Sequence, residues 1–247
     1  MPFQAVASQR LFQQVAEQIV GLIRSGELAP GTRLPAERDL SKKLGVSRPV
    51  VREAMIALEI SGFVEVKTGT GSYVIDGTPR IGDVDDAGPS AFELLAARRT
   101  IEGEIAAAAA ESAGPDDIAR LDDALNWYRR EYLKGEDSFE ADRAFHLGVA
   151  EATGNSVFIR MVELLWGDMR GQIFSRLGEL TKNSNKLRTN MSDHEAIRDC
   201  IVAHDSTAAR LAMQKHIANV EAYFLMDAAE DSQSGRMTPT SPRKTER

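Results

Sequence analysis

Apolar and polar positions alternate along this chain with two different textures, one before and one after about residue 76. From Gln9 to Ser25 the apolar residues Leu11, Val15, Ile19, Leu22 and Ile23 keep the spacing of one helix face. Gly26-Glu27-Leu28-Ala29-Pro30-Gly31 then turns the chain. Pro35 opens a short helical pattern with Leu40 and Leu44 on its inner face. Gly45-Val46 reads as a tight turn, and Ser47 is a good N-cap for a further helix. That helix carries Val51, Ala54, Met55 and Leu58 inward, and Gly62 ends it. Two alternating runs follow, Phe63 to Lys67 and Ser72 to Ile75. Thr68-Gly69-Thr70-Gly71 between them suits positive φ and predicts a hairpin tip. Helix, turn, helix and hairpin together describe a winged helix-turn-helix, a unit that lays its second helix in the DNA major groove.

Asp76 to Pro89 is polar, rich in Gly, Pro and Asp, and without periodicity, as expected of a linker. Beyond it every segment predicts helix. Ala91 to Ala113 forms one, ended by Gly114-Pro115, and Asp116 to Lys134 a second, closed by Gly135. Asp137, with Glu140 at the far end of a capping box, starts a third that runs to Thr153-Gly154. Asn155 caps a fourth that reaches about Leu177. A polar stretch, Thr181 to Asn190, separates it from Ser192-Asp193-His194-Glu195, a capping-box pattern that opens a fifth. Asp205 caps a sixth, to about Ala229. The Ser/Pro/Lys/Arg-rich end is expected to be disordered. The expected organisation is mainly α: a DNA-binding domain over 1–76, a linker over 77–90, an all-α bundle over 91–229 and a tail over 230–247.

The net charge of −7 taken alone argues against nucleic acid, but its distribution changes the picture. Residues 1–76 hold nine Lys/Arg and eight Asp/Glu, so the acidic excess lies in the rest of the chain. Arg33, Arg38, Lys42, Lys43, Arg48 and Arg52 fall in or beside the two helices of the motif, and Lys67 beside the wing tip. Arg48 and Arg52 stand one turn apart and point the same way. Arginine there can pair bidentately with guanine O6 and N7, while hydroxyls and backbone N–H groups hold phosphates. The plainer reading is a solvated basic face on an ordinary helix; the ordered string of turn, cap and wing tells against it. A single cysteine, Cys200, excludes a disulfide framework within one chain and is expected to be a small core residue. With no signal peptide and no apolar run of 18 residues, a bacterial cytoplasmic protein is expected, with no membrane partner.

The helical part carries one constellation. Asp142 and His146 are spaced i, i+4 and share a helix face, His194 begins the fifth predicted helix, and His216 sits inside the sixth. Converging in a bundle core, they would form a nitrogen/oxygen ligand set suited to zinc, nickel or manganese. Any one of the histidines taken alone reads more readily as a satisfied core or surface residue, and Asp142–His146 also reads as a helix ion pair.

The motif from Leu34 to Val74 resembles the DNA-binding domain of the GntR family of bacterial regulators, whose pattern is LPxERxLxxxLGVSRxxVREAxxxLxxxGxVxxxxGxGxxV. By that resemblance Arg38, Ser47, Arg48 and Arg52 carry operator contacts, with Thr68 and Gly69 at the wing. ADRAFHLGVAEATGN, SDHEAI and KHIANV resemble the FCD ligand-binding domain of the FadR subfamily, a six- to seven-helix bundle. The resemblance implies that Asp142, His146, His194 and His216 bind a divalent metal, usually zinc, and that an effector carboxylate completes its shell. Arg98, in FELLAARRTIEGEIA, matches an arginine facing the cavity; the alternative is a surface arginine on a long helix. His204 matches no motif position and is expected at the surface. A finer similarity, carried by VVREAMIALEISGFVEVKTGTGSYV, DAGPSAFELLAARRTIE and FHLGVAEATGNS, is to regulators of hexuronate catabolism.

These readings imply a transcriptional repressor, bound as a homodimer to a palindromic operator of the TGGT…ACCA kind and released by a small carboxylate such as a sugar acid. Three alternatives stand beside it: an effector of another kind, such as lactate or an amino acid; the metal itself as signal; and a metallohydrolase fused to a DNA-binding module. Glu195, beside His194, would be the general base that hydrolysis needs, but its expected capping role explains it better.

Overall fold

The structure, a computed structural model, describes residues 10–67, 70–76, 89–134, 138–180 and 184–226. The expected linker core (77–88), the wing-tip residues Thr68 and Gly69 and the expected tail (230–247) lie outside the described residues.

The N-terminal unit follows its sequence signals. Helix α1 (Leu11–Arg24) packs on α3 (Arg48–Ile60), and α2 (Glu37–Leu44) on the same α3. Gly45, left-handed at φ 68°, closes α2 by donating its N–H to the Ser41 carbonyl. The Ser41 hydroxyl donates to the Val46 carbonyl at 2.7 Å and fixes the turn between the helices. Ser47 is the N-cap of α3, in extended conformation, with no hydrogen bond from its side chain to the helix. The apolar face of α1 follows expectation at Val15 and Ile19 and departs from it at Leu11. Phe12, Val15, Ala16 and Ile19 are buried, while Leu11 is exposed. The large Phe12 ring, one residue on, fills the core in its place.

Strands β1 (Val64–Lys67) and β2 (Gly71–Val74) pair antiparallel, with Val64 opposite Val74 and Lys67 opposite Gly71. The sequence pattern gave no hint that 31–34 also runs beside β2. The Gly31 N–H donates to the Val74 carbonyl, the Val74 N–H to Thr32 and the Leu34 N–H to Ser72, at 2.8–2.9 Å.

Seven further helices build the bundle among the described residues: α4 (Ala91–Ser112), α5 (Pro115–Lys134), α6 (Phe139–Glu151), α7 (Ser156–Asp168), α8 (Gln172–Leu180), α9 (Ser184–Val202) and α10 (Ser206–Leu225). Ser90, Asn155 and Asp205 each accept a backbone N–H of the following first turn. α4 and α10 pack along each other at the centre. Gly103 makes that approach possible, since a Cβ there would stand 2.9 Å from Cγ of Gln214 on α10.

Two expected boundaries fail. The single helix expected from Asn155 to about Leu177 is two, because the chain turns at Met169–Gly171 between α7 and α8. The expected capping box at Ser192 lies inside α9, which begins at Ser184. Ser192 donates to the Thr189 carbonyl one turn back, and Glu195 pairs with Arg129 of α5 at 2.7 Å. Ser/Thr/Asn-rich sequence reads as loop because its side chains compete for the backbone, but packing of α9 on α4, α5 and α10 holds it helical. Asp137 lies outside the described residues; Ser138 stands at the N-cap of α6, and Glu140 pairs with Arg170. Cys200 is half-buried against the core; burial, then Asp205 and Asp199, push its thiol pKa up, the reverse of what a reactive thiol needs.

Candidate metal centre and DNA-reading helix

Three helices deliver the four expected ligands to one point. Asp142 and His146 come from one face of α6, His194 from the middle of α9 and His216 from α10. One ligand atom from each lies within 4.8 Å of all the others. All three histidines are fully buried. Asp142 Oδ1 lies 3.0 Å from His194 Nε2 and 3.5 Å from His146 Nε2. Yet Asp142 Oδ1, His146 Nε2, both ring nitrogens of His194 and His216 Nδ1 make no well-formed hydrogen bond. Buried polar atoms without a partner each cost about 1–3 kcal/mol, and a cluster of them aimed at one point is what a bound cation relieves. Three imidazoles and a carboxylate are a fitting donor set for such an ion.

The surrounding groups set the protonation of these ligands. Burial raises the Asp142 pKa, but the close approach of the His146 and His194 rings and their charges outweighs it and holds it well below the usual range. Burial lowers both His194 and His216, the latter to about 4, so both rings are held neutral with a lone pair to offer. Burial also pushes His146 down, but the Glu102 carboxylate more than compensates and the net shift is upward.

Glu102, on α4, was not among the residues singled out from sequence. Its carboxylate meets His146 Nδ1, which leaves Nε2 facing Asp142. Arg98, one turn earlier, donates Nε to Glu102 at 2.6 Å and reaches Met169 Sδ at 3.2 Å. Its guanidinium lies over the Trp166 ring, 4.4 Å from the centroid. At 2 % exposure Arg98 is no surface arginine; it stands behind the His146 ligand. The i, i+4 spacing of Arg98 and Glu102 was the signal available for Glu102. Trp166 Nε1 and Asn190 Oδ1 are two further buried polar atoms without a hydrogen bond. The Trp166 ring lies 5.0 Å from that of His146, and Asn190 precedes His194 by one turn on α9. His204 is exposed, and its Nδ1 lies 2.8 Å from the Ala110 carbonyl of α4.

In the motif, Arg38 and Ser47 are exposed. Arg48 and Arg52 share a face of α3, as their spacing requires, but that face meets the bundle rather than solvent. Arg48 Nη2 donates to the Leu225 carbonyl at 3.0 Å and Arg52 Nη2 to the Met226 carbonyl at 3.3 Å. Arg52 Nη1 pairs with Glu37 of α2 at 3.1 Å.

A winged helix-turn-helix joined to an all-helical bundle is the build of a DNA-binding regulator. The chain belongs to the GntR family of bacterial regulatory proteins, whose model matches residues 11–74, and it carries an FCD domain over residues 93–219. It is 38 % identical to the Uxu operon transcriptional regulator of Escherichia coli, over 90 % of this chain and 89 % of that protein. The Exu regulon transcriptional regulator of Escherichia coli is 35 % identical over 90 % of this chain and 88 % of its own length. Among solved structures, Escherichia coli McbR/YncC superposes with a TM-score of 0.50 at 24 % identity, covering 87 % of this chain and 97 % of that one, a likeness of fold. The protein is a transcriptional regulator related to these operon regulators, not an enzyme. The metallohydrolase alternative falls with that; Glu195 pairs with Arg129 of α5 at the surface. Among the described residues no helix is long and apolar enough to cross a membrane.

Proposed function

We propose that this protein represses a sugar-acid catabolic operon, most directly one for hexuronates, and leaves its operator when a small carboxylate enters the bundle. It acts in the bacterial cytoplasm. The observation that carries the reading is the convergence of Asp142, His146, His194 and His216 with unsatisfied ligand atoms. They hold a divalent metal, zinc before nickel or manganese, and the metal when bound supplies positive charge that accepts an anionic oxygen. Glu102 holds the His146 ring, while Arg98 adds a guanidinium able to grip a carboxylate or hydroxyls. Trp166 Nε1 and Asn190 Oδ1 offer a buried donor and acceptor suited to a hydroxylated acid.

On DNA, Arg48 and Arg52 read base edges, Arg38 and Ser47 hold the backbone, and Thr68 and Gly69 follow at the wing. One winged helix covers only a few base pairs, so a homodimer on a palindromic site of the TGGT…ACCA kind is the expected complex. Footprinting that showed a monomer on an asymmetric site would overturn this part.

The test of the effector is a titration of galacturonate, glucuronate, fructuronate, tagaturonate and mannonate against the operator complex. One of them should weaken it about 5- to 150-fold, a coupling of roughly 1–3 kcal/mol. Release by lactate or an amino acid, with none of these active, removes the hexuronate assignment; release by metal alone makes the ion the signal.

A further inference from the structure

The DNA-reading helix α3 is docked on the bundle by contacts that match the electrical polarity of the two helix ends it meets. The last carbonyls of a helix have no partner within it and carry partial negative charge; the first N–H groups carry partial positive charge. At the C-terminal end of α10, the Leu225 and Met226 carbonyls accept from Arg48 and Arg52. At the N-terminal end of α4, the Glu53 carboxylate accepts from the Phe92 N–H at 3.2 Å, from the Ala91 N–H and from the Ser90 hydroxyl at 2.8 Å. Glu53 is 1 % exposed and Arg52 7 %, so these are interior contacts. A third fastening joins the far end of α3 to α8: Arg176 donates to both Glu59 oxygens, at 2.8 and 2.9 Å. Glu59 also accepts the Val66 N–H of β1, which ties the wing to the same point.

We propose that the paired ends of α10 and α4 are a built-in docking surface for the DNA-reading helix, competing with operator for Arg48 and Arg52. The inference rests on the reading of those two arginines as base-reading residues. While α3 is docked, Arg52 is 7 % exposed and Arg48 is half-buried against the end of α10, so a guanine edge has no room to reach their guanidinium groups. The docked arrangement is therefore the DNA-incompetent one, and operator binding requires α3 to leave the surface. Both helices also reach the metal centre, α10 through the ligand His216, nine residues before Leu225 and about 14 Å along the axis, and α4 through Glu102, which holds the His146 ring and lies ten residues beyond Phe92. Any shift of α4 against α10 at the centre changes the spacing of the two ends that α3 bridges. An effector that fixes them at the docked spacing favours release.

Hydrogen exchange reads the dock directly, because the Ala91 and Phe92 amides stand in the first turn of α4 and have no acceptor within that helix. Full-length protein would be compared free and bound to a duplex selected by the wild-type protein from a random pool. Ala91 and Phe92 should be protected in the free protein and exchange at least about 10-fold faster on DNA, with the middle of α4 unchanged. Equal or greater protection on DNA overturns the proposal, while leaving the metal and effector reading untouched. Arg176→Ala loosens the dock without altering a residue placed on DNA. It should bind the same duplex about 2- to 5-fold more tightly, as expected for a partly exposed ion pair that opposes binding. Affinity equal to or weaker than wild type, at unchanged thermal stability, also overturns it.

Discussion

Glu102→Gln tests how the metal centre is held, because two separable quantities depend on that one carboxylate. Glu102 lies between the Arg98 guanidinium and the His146 ring, and it is 1 % exposed. Burial alone would raise its pKa, but the charges of Arg98 and His146 bring it to about 2, so it is ionised at any working pH. Glutamine has nearly the same shape and no charge. Its one oxygen can accept from Arg98 or from His146 Nδ1, and its NH2 then faces the other donor. The first consequence is an uncompensated guanidinium in the interior. Removing one partner of a buried pair costs about 3–5 kcal/mol. At about 2–4 °C per kcal/mol for a chain of this size, the melting temperature should fall by about 6–20 °C, towards the lower end if the Trp166 stack persists. The second is a freed His146 ring, which typically weakens metal binding about 10- to 100-fold. The assays are thermal unfolding of metal-free protein and competition for the metal against a chromophoric chelator. Glu102→Asp, which keeps the charge but shortens the reach, should recover part of the stability and less of the affinity. A Glu102→Gln protein within about threefold of wild type in metal affinity and about 2 °C in melting temperature would refute the positioning role.

Single replacement of Asp142, His146, His194 or His216 by alanine should each weaken metal binding, measured by metal analysis after dialysis, while the protein still binds its operator. His194→Ala should also abolish the response to the active acid. Arg48→Ala and Arg52→Ala should each cost about 1–3 kcal/mol in specific operator binding, read by electrophoretic mobility shift at fixed salt. Metal-stripped protein should be most heat-stable near pH 6.5. Below that pH the unfolded chain takes up protons that the buried His194 and His216, the latter held to about 4, refuse, a loss on the order of 3 kcal/mol for His216. Above it, His146, with its pKa raised, loses its proton and the stability that went with it. A melting temperature that climbs from pH 6.5 to 5 would contradict these assignments.

Elements whose signals are local were legible in the sequence. Gly45 and Gly62 sit at left-handed positions that end α2 and α3, and Ser47, Asn155 and Asp205 stand at the N-caps expected of them. The i, i+4 pair Asp142 and His146 shares a face because helix geometry requires it. Local signals failed where packing decides: α9 is helical through its polar start, and Phe12 rather than Leu11 fills the core. That His194 and His216 meet Asp142 and His146 follows from how α6, α9 and α10 cross, a matter of long-range burial that no spacing along the chain encodes. Glu102 acquires its role for the same reason, since its partner His146 is 44 residues away. The sequence placed Arg48 and Arg52 on one helix face, but only tertiary structure turned that face onto the carbonyls of Leu225 and Met226, 177 and 174 residues distant. Helix ends leave carbonyls unsatisfied wherever they fall, and which donors reach them is settled by the packing of the whole chain.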